Sequence, residues 1–287
     1  MSKDMQDTGY MVVERPVEEA GAMVFWRLSG SLDLAKLKAA WATEGLEEKL
    51  LPDPPSEQVA LKRAIRDFAE SRRLVRPLEH RAGWSIVVET AKGDALEYSQ
   101  ALTVKLNGAG QPVCDPAEHP AAGAIEAAYT HNLDNVSQGD VSGWLCRLMD
   151  RVDAVSLRDT GGVYFVPRHC LDRWRAMVRA IRSASAHAVF GVPAMPADET
   201  VAAVLDAITN EAMADVTALA DQLAKGELGE RAMESRLTKT NSIELKLGRY
   251  EALLGTKLED VRAKLDAVRQ NLTVAILTAS PQAKMAV

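Results

Sequence analysis

Long apolar runs are missing from this chain. No segment approaches 18 uninterrupted apolar residues, so the sequence predicts no membrane-spanning helix. Cysteine is scarce and odd in number, three in 287 residues, which excludes a disulfide scaffold and fits a reducing cytoplasm. The opening stretch Met1 to Tyr10 is polar and carries Asp4 and Asp7, unlike a signal peptide. Aromatic residues are only 5%, while Ala and Leu dominate, so a mostly helical chain is expected. Charge of one sign is in no large excess: 34 Lys+Arg face 40 Asp+Glu, a formal net charge of −6. What is there is ordinary globular material, 47% apolar and 26% charged, enough for one large domain or two small ones.

The common catalytic signatures are missing too. The chain has no Gly-x4-Gly-Lys-Ser/Thr phosphate loop, no Gly-x-Ser-x-Gly elbow, no His-Glu-x2-His and no Cys-x2-Cys. Gly108-Ala-Gly110 only begins a dinucleotide signature and opens no helix; a hairpin turn accounts for it. No cofactor and no catalytic residue are expected. Asn135-Val-Ser137 and Asn271-Leu-Thr273 match the glycosylation pattern by chance, given the expected compartment.

Periodicity predicts an α+β fold, predominantly helical, in three consecutive blocks. The first spans residues 9–116. Met23 to Leu28 reads as a strand, and Leu32 to Leu46 as a helix capped by Ser31 or Asp33. Pro52, Pro54 and Pro55 stop that helix. Ser56 caps a second, with Val59, Leu61, Ile65, Phe68 and Ala69 as its inner face. Leu74 to Leu78, Trp84 to Glu89 and Ala95 to Leu106 then read as strands, the last ending at Asn107-Gly108. Helix, Pro-rich turn, helix and β-ribbon is the order of winged-helix modules, whose helices enter a nucleic-acid groove. The same order also describes a helix pair on an antiparallel sheet, with no groove to enter.

The second block, 117–192, is a helix–hairpin unit. A helix covers Ala121 to His131, and Val141, Trp144, Leu145, Leu148 and Val152 mark another. Ala154 to Leu157 and Val163 to Val166 flank Asp159-Thr-Gly-Gly162 as a hairpin, with Tyr164 and Phe165 on opposite faces. Leu171, Trp174, Met177, Val178 and Ile181 start a further amphipathic helix. Gly191 to Pro196 reads as a linker. The third block, 198–278, is a helical arm: Val201 to Leu223 forms one stripe, and Leu247 to Ile276 steps by three and four. That spacing is the seam of a coiled coil or long helical hairpin. Its residues Leu254, Leu258, Val261, Leu265, Val268 and Leu272 are the expected oligomerisation surface. Gly248 and Gly255, one heptad apart, allow close helix approach.

The net charge hides an asymmetry. Glu57 to Arg81 holds seven basic residues to four acidic, and Arg147 to Arg182 holds eight arginines to four aspartates. Asp198 to Arg236 reverses this, with nine acidic to three basic. Arginine suits bidentate pairing with phosphate or carboxylate. Arg63, Arg66, Arg72, Arg73 and Arg76, with Arg158 at the central turn, are therefore the expected contact face for nucleic acid or an acidic partner. The counter-reading packs the basic units against the acidic helices, within the chain or between copies. An isoelectric point near 5.5 is low for a dedicated nucleic-acid binder.

Two groups of soft ligands deserve a test against structure. Cys114, His119 and His131 supply three zinc-type donors at loose spacing and without an evident fourth; Asp115-Pro116 is turn chemistry. His169-Cys170 pairs a thiol with a base between Arg168 and Arg173. Adjacent helical residues point about 100° apart, so His169 is expected to face away and Cys170 to be a core residue. Cys146 is expected partly buried, and Trp174 in the core. No metal ligand is assigned.

Tyr164-Phe-Val-Pro167 before an amphipathic helix, Tyr250-Glu-Ala-Leu-Leu-Gly255 inside a long C-terminal helix, and Phe25-Trp-Arg-Leu-Ser-Gly30 together resemble a group of uncharacterised proteins from bacterial genomes, phages and mobile elements. The resemblance spans most of the chain and implies no activity. The expectation is a non-enzymatic binding or assembly protein, contacting nucleic acid or an acidic partner through arginines and self-associating through C-terminal helices. The alternatives are a protein–protein adaptor or oligomeric scaffold without nucleic-acid contact, and an unrecognised enzyme using His169, His131 or Cys114.

Overall fold

The computed structural model describes residues 19–69, 73–79, 83–93, 95–158, 162–225 and 230–279. In chain order, strand β1 (Gly21–Arg27) and the short β2 (Leu32–Asp33) lead into helices α1 (Leu34–Thr43) and α2 (Glu57–Phe68). Strands β3 (Arg73–Pro77), β4 (Gly83–Lys92), β5 (Ala95–Leu106) and β6 (Pro112–Asp115) follow, then α3 (Ala122–Asp134), β7 (Asn135–Val136) and α4 (Gln138–Arg151). The hairpin β8 (Val155–Ser156) and β9 (Val163–Pro167), helix α5 (Leu171–Ala184), strand β10 (Ala188–Ala194) and helices α6 (Asp198–Ala224), α7 (Glu230–Leu254) and α8 (Glu259–Ala279) complete it. The fold is α+β and mostly helical, with antiparallel sheets. Among the described residues no helix is long and apolar enough to cross a membrane.

The chain divides into two compact units rather than three consecutive blocks. One takes Trp26–Leu148 and Asp172–Val189; the other takes Met1–Phe25, Met149–Leu171 and Phe190–Val287. Periodicity is a local signal, and it carries no mark of a chain that leaves a unit and returns to it.

In the first unit α2 and α3 lie on one face of the sheet β3-β4-β5-β6. Ala60, Leu61, Ala64 and Ile65 of α2 meet Ile86, Leu102 and Val104 of the sheet and Ile125 and Tyr129 of α3, all buried. This is a helix pair on an antiparallel sheet, not a wing beside a recognition helix. Ser56 Oγ caps α2 at the Val59 amide, and Asp33 Oδ1 caps α1 at the Lys36 amide, 2.9 Å away. Val59, expected inside, is exposed. Trp41 and Trp144 pack with tilted rings, 5.7 Å between centroids, and Trp144 Nε1 donates to Leu50 O at 2.7 Å. Trp174 is buried as expected. His187 is almost fully buried; its Nδ1 accepts the Ser29 amide, and its Nε2 has no hydrogen-bond partner among the described residues.

In the second unit the sheet order is β10-β1-β9-β8. Gly191 to Pro196, read as a linker, largely forms β10. β1 runs antiparallel to β9 with Gly21 opposite Pro167. A Cβ on Gly21 would sit 2.3 Å from Val166 O and 2.5 Å from the Phe165 ring, so this approach needs glycine. Phe165 is the inward member of the Tyr164-Phe165 pair.

The C-terminal stripe is one seam in sequence and two helices in space. Gly255, at φ +68°, ends α7 with its amide on Glu251 O at 2.9 Å, and α8 starts after it. Glu251 fastens the corner: Oε1 accepts from the Leu258 amide and from Arg262 Nε, and Oε2 from Arg262 Nη2 at 2.6 Å. Those bonds hold its carboxyl below the usual range, the Arg262 bond most of all. Leu258, Val261, Leu265, Val268 and Leu272 are buried, and Leu254 is partly buried, in the core that α6, α7 and α8 share with Phe165 and Val155. The residues expected to bind a second chain are covered by their own.

Gly255→Ala should therefore cost about 1–2 kcal/mol through its left-handed backbone. Gly248→Ala, inside α7 with only the Arg262 tip 3.6 Å from the added Cβ, should gain about 0.5–1 kcal/mol. Urea unfolding of both variants checks the pair; equal effects would mean that the corner at Gly255 has been misplaced.

Burial pushes the His187 pKa below its ordinary 6.5, outweighing the Ser29 bond. The unfolded chain then takes up a proton that the folded chain refuses. Stability is unaffected well above 6.5 and falls as pH drops through that value towards the folded pKa. His187→Asn keeps an acceptor for Ser29 and removes the titration. Its urea midpoint should change less than the wild type's between about pH 7.5 and 5.5.

Candidate nucleic-acid interface

Helix α2 turns its polar side towards the end of the sheet where β3 and β4 pair. Residues four apart lie one above the other on a helix, so Lys62 and Arg66 stand side by side. Across from them Pro77 pairs with Trp84 in the β3–β4 register, and Val75 lies on the same strand face two residues earlier. Gln58, Val59, Lys62, Arg66, Val75, Pro77 and Trp84 line an open cleft of about 730 Å³. Lys62 Nζ sits 5.3 Å from the Trp84 ring centroid, a cation–π distance. Trp84 Nε1 is buried and has no acceptor among the described residues. Among the described residues neither Lys62 nor Arg66 forms an ion pair. The cleft thus offers two cations and an aromatic ring, which together suit a ligand with phosphates and a flat base.

Of the expected arginines, the three of the first unit whose side chains are described, Arg63, Arg66 and Arg76, do not share one free face. Arg66 lines the cleft. Arg63, on the next position round α2, is only partly exposed and pairs with Asp140 at the start of α4, itself held by Ser137 Oγ at 2.9 Å. Arg76 is exposed but opposes Ser85, and strand alternation puts it on the sheet face away from Trp84. Arg73 opens β3; its side chain, like the whole of Arg72, lies outside the described residues. Arg158 is exposed and belongs to the other unit. Part of the other basic run is answered by carboxylates: Arg173 meets Glu47 at 2.5 Å, and Arg179 clasps both oxygens of Glu44 at 2.9 and 2.6 Å. Arg179's hydrogen bond and charge hold the Glu44 carboxyl below its usual range.

Sequence reading missed Lys62, which it counted only as net charge, and Trp84, which it placed only as a strand residue. The Lys62–Arg66 spacing on a helix with a fully apolar opposite face was the available signal. The strand register that delivers Trp84 was not readable from either segment alone.

The soft-ligand groups fare in opposite ways. Cys114, His119 and His131 do not converge. Cys114 is half-buried against the sheet core, and burial, then Glu126, pushes its thiol pKa up. His119 Nδ1 takes the Ala121 amide at 3.1 Å, and His131 faces Ser31 and Asn135. Cys146 is exposed rather than partly buried. His169 and Cys170, expected to point apart with Cys170 in the core, lie instead in a 3-10 turn (Arg168–Cys170) and gather with Asp153; Cys170 is only half-buried.

No functionally curated protein and no solved structure matches the chain. A family model does, over residues 20–283. That match covers both units, the cleft and the Asp153 cluster, and the chain belongs to this family of unknown function, DUF6744.

Proposed function

We propose that the protein is a recognition protein for single-stranded nucleic acid, which it holds in the cleft of Lys62, Arg66 and Trp84. One observation carries the reading. Lys62 and Arg66 stand without an ion pair among the described residues, one turn apart, beside an aromatic ring that lines the same cleft, while Arg63 between them is taken by Asp140. Phosphates take the two cations, and a base stacks on Trp84 once Lys62 leaves the ring for a phosphate. A duplex offers no unstacked base and gains only the charge contact. A setting in phage or mobile-element biology, which the sequence resemblance implies, suits such a ligand. Self-association through the C-terminal seam drops out of the proposal, because the seam is occupied within the chain.

Fluorescence anisotropy of labelled single-stranded and duplex oligonucleotides at two salt concentrations tests this. Two neutralised phosphates give a log–log salt slope of about −1.4 for single strands, and Lys62→Ala or Arg66→Ala should each reduce its size by about 0.7. Trp84→Leu should weaken single-strand binding by about 1–3 kcal/mol and leave the slope alone. Arg179→Ala, whose side chain is held by Glu44, should change neither. Absence of binding at both salts, or binding that survives Lys62→Glu with Arg66→Glu, overturns the assignment.

A further inference from the structure

The second unit holds a cluster that the nucleic-acid reading does not use. Helix α4 ends at Arg151, and Asp153 follows in a left-handed conformation, φ 51°. Two residues of α7 pin it there: Tyr250 Oη donates to the Asp153 carbonyl at 2.7 Å, and Arg249 holds both carboxylate oxygens, Nη2 to Oδ1 at 3.0 Å and Nε to Oδ2 at 2.9 Å. The 3-10 turn after β9 brings up the other side. His169 Nε2 lies 3.1 Å from Asp153 Oδ2, and the ligand atoms of Asp153, His169 and Cys170 all fall within 4.8 Å of one another.

We propose that Asp153, His169 and Cys170 form a binding site for one divalent zinc-class cation, with a fourth position open to water or an exogenous ligand. The donor set fits that class. One thiolate, one imidazole and one carboxylate match the nitrogen, sulfur and oxygen ligands that zinc takes, and the thiolate disfavours magnesium and calcium. The spacing fits as well. Two donors at ordinary zinc distances stand about 3.3 Å apart across a tetrahedral angle, close to the His169–Asp153 separation, and the thiol needs only a small side-chain movement to complete the third bond. The ion takes the place of the proton now shared between His169 and Asp153, while Asp153 Oδ1 stays on Arg249. Arg249 and Tyr250 are then outer-shell partners that orient the carboxylate ligand, the arrangement that metal sites use to fix their ligands. His169 is the exposed member, with 41% of its side chain accessible, so the open position faces solvent and the ion has a way in.

The test uses the full chain, stripped with chelator and titrated with Co2+ under reducing conditions, followed by Zn2+ competition. One Co2+ per chain should bind and give a thiolate-to-cobalt charge-transfer band in the near ultraviolet, which Zn2+ abolishes. Cys170→Ser should remove the band, and His169→Ala, on the surface, should weaken binding by roughly tenfold or more. Cys114→Ser with Cys146→Ser should keep both band and affinity. Asp153→Asn also loosens the α7 contact, so circular dichroism accompanies it, and His169→Ala carries the decision if it unfolds. Failure to bind one equivalent, a band that persists in Cys170→Ser, or affinity unmoved in His169→Ala overturns the site.

Discussion

Several guanidinium groups in this protein are claimed by carboxylates of the same chain. Arg63 goes to Asp140, Arg173 to Glu47, Arg179 to Glu44, Arg249 to Asp153, Arg262 to Glu251 and Arg269 to Glu244. Exposed pairs of this kind contribute about 0–1 kcal/mol each, so they are not what holds the fold. Their larger effect is on availability. A paired arginine must give up its carboxylate before it can take a phosphate, whereas Lys62 and Arg66 have no ionic partner to give up among the described residues. Within α2 the proposed surface is what this pairing leaves: Asp140 takes Arg63, and Lys62 and Arg66 remain beside Trp84.

That pairing explains how much of the candidate site was legible in the sequence. The density of basic residues between Glu57 and Arg81 marked the right stretch, and Arg66 was named. Charge counts along a chain include only neighbours in sequence, and the carboxylates that pair with Arg63 and Arg179 lie 77 and 135 residues away. Local signals did better. The Asp33 and Ser56 caps, the antiparallel strands and the amphipathic helices around Trp144 and Trp174 each rest on residues within a turn or two of one another. β10 and the two-unit partition rest on long-range pairing and were missed.

The C-terminal seam shows the same boundary from another side. A three–four apolar repeat states that a helix face must be covered; it does not state by which chain. Gly255 decides the matter. With its left-handed φ it breaks the stripe, reverses the chain and lets α8 cover α7 and α6, so Leu258, Val261, Leu265, Val268 and Leu272 become core rather than contact surface. The glycine was visible in the sequence and was read as a packing device for close helices. As a helix terminator it has the opposite consequence for assembly.

Asp153 concentrates more restraint than any stability argument requires. A non-glycine residue in the left-handed region is uncommon, although aspartate tolerates it better than most. A Tyr250 hydroxyl and a two-pronged Arg249 hold it, and burial, followed by the nearby Glu211 and Asp153 charges, pushes the Tyr250 hydroxyl pKa well up, so it remains a donor. A salt bridge alone would be satisfied by Arg249. It would need neither His169 against the remaining lone pair of Oδ2 nor a thiol within reach of both. Over-determined geometry of this kind is costly to build for packing, and it is what a set of metal ligands needs, because their separations must be fixed before the ion arrives.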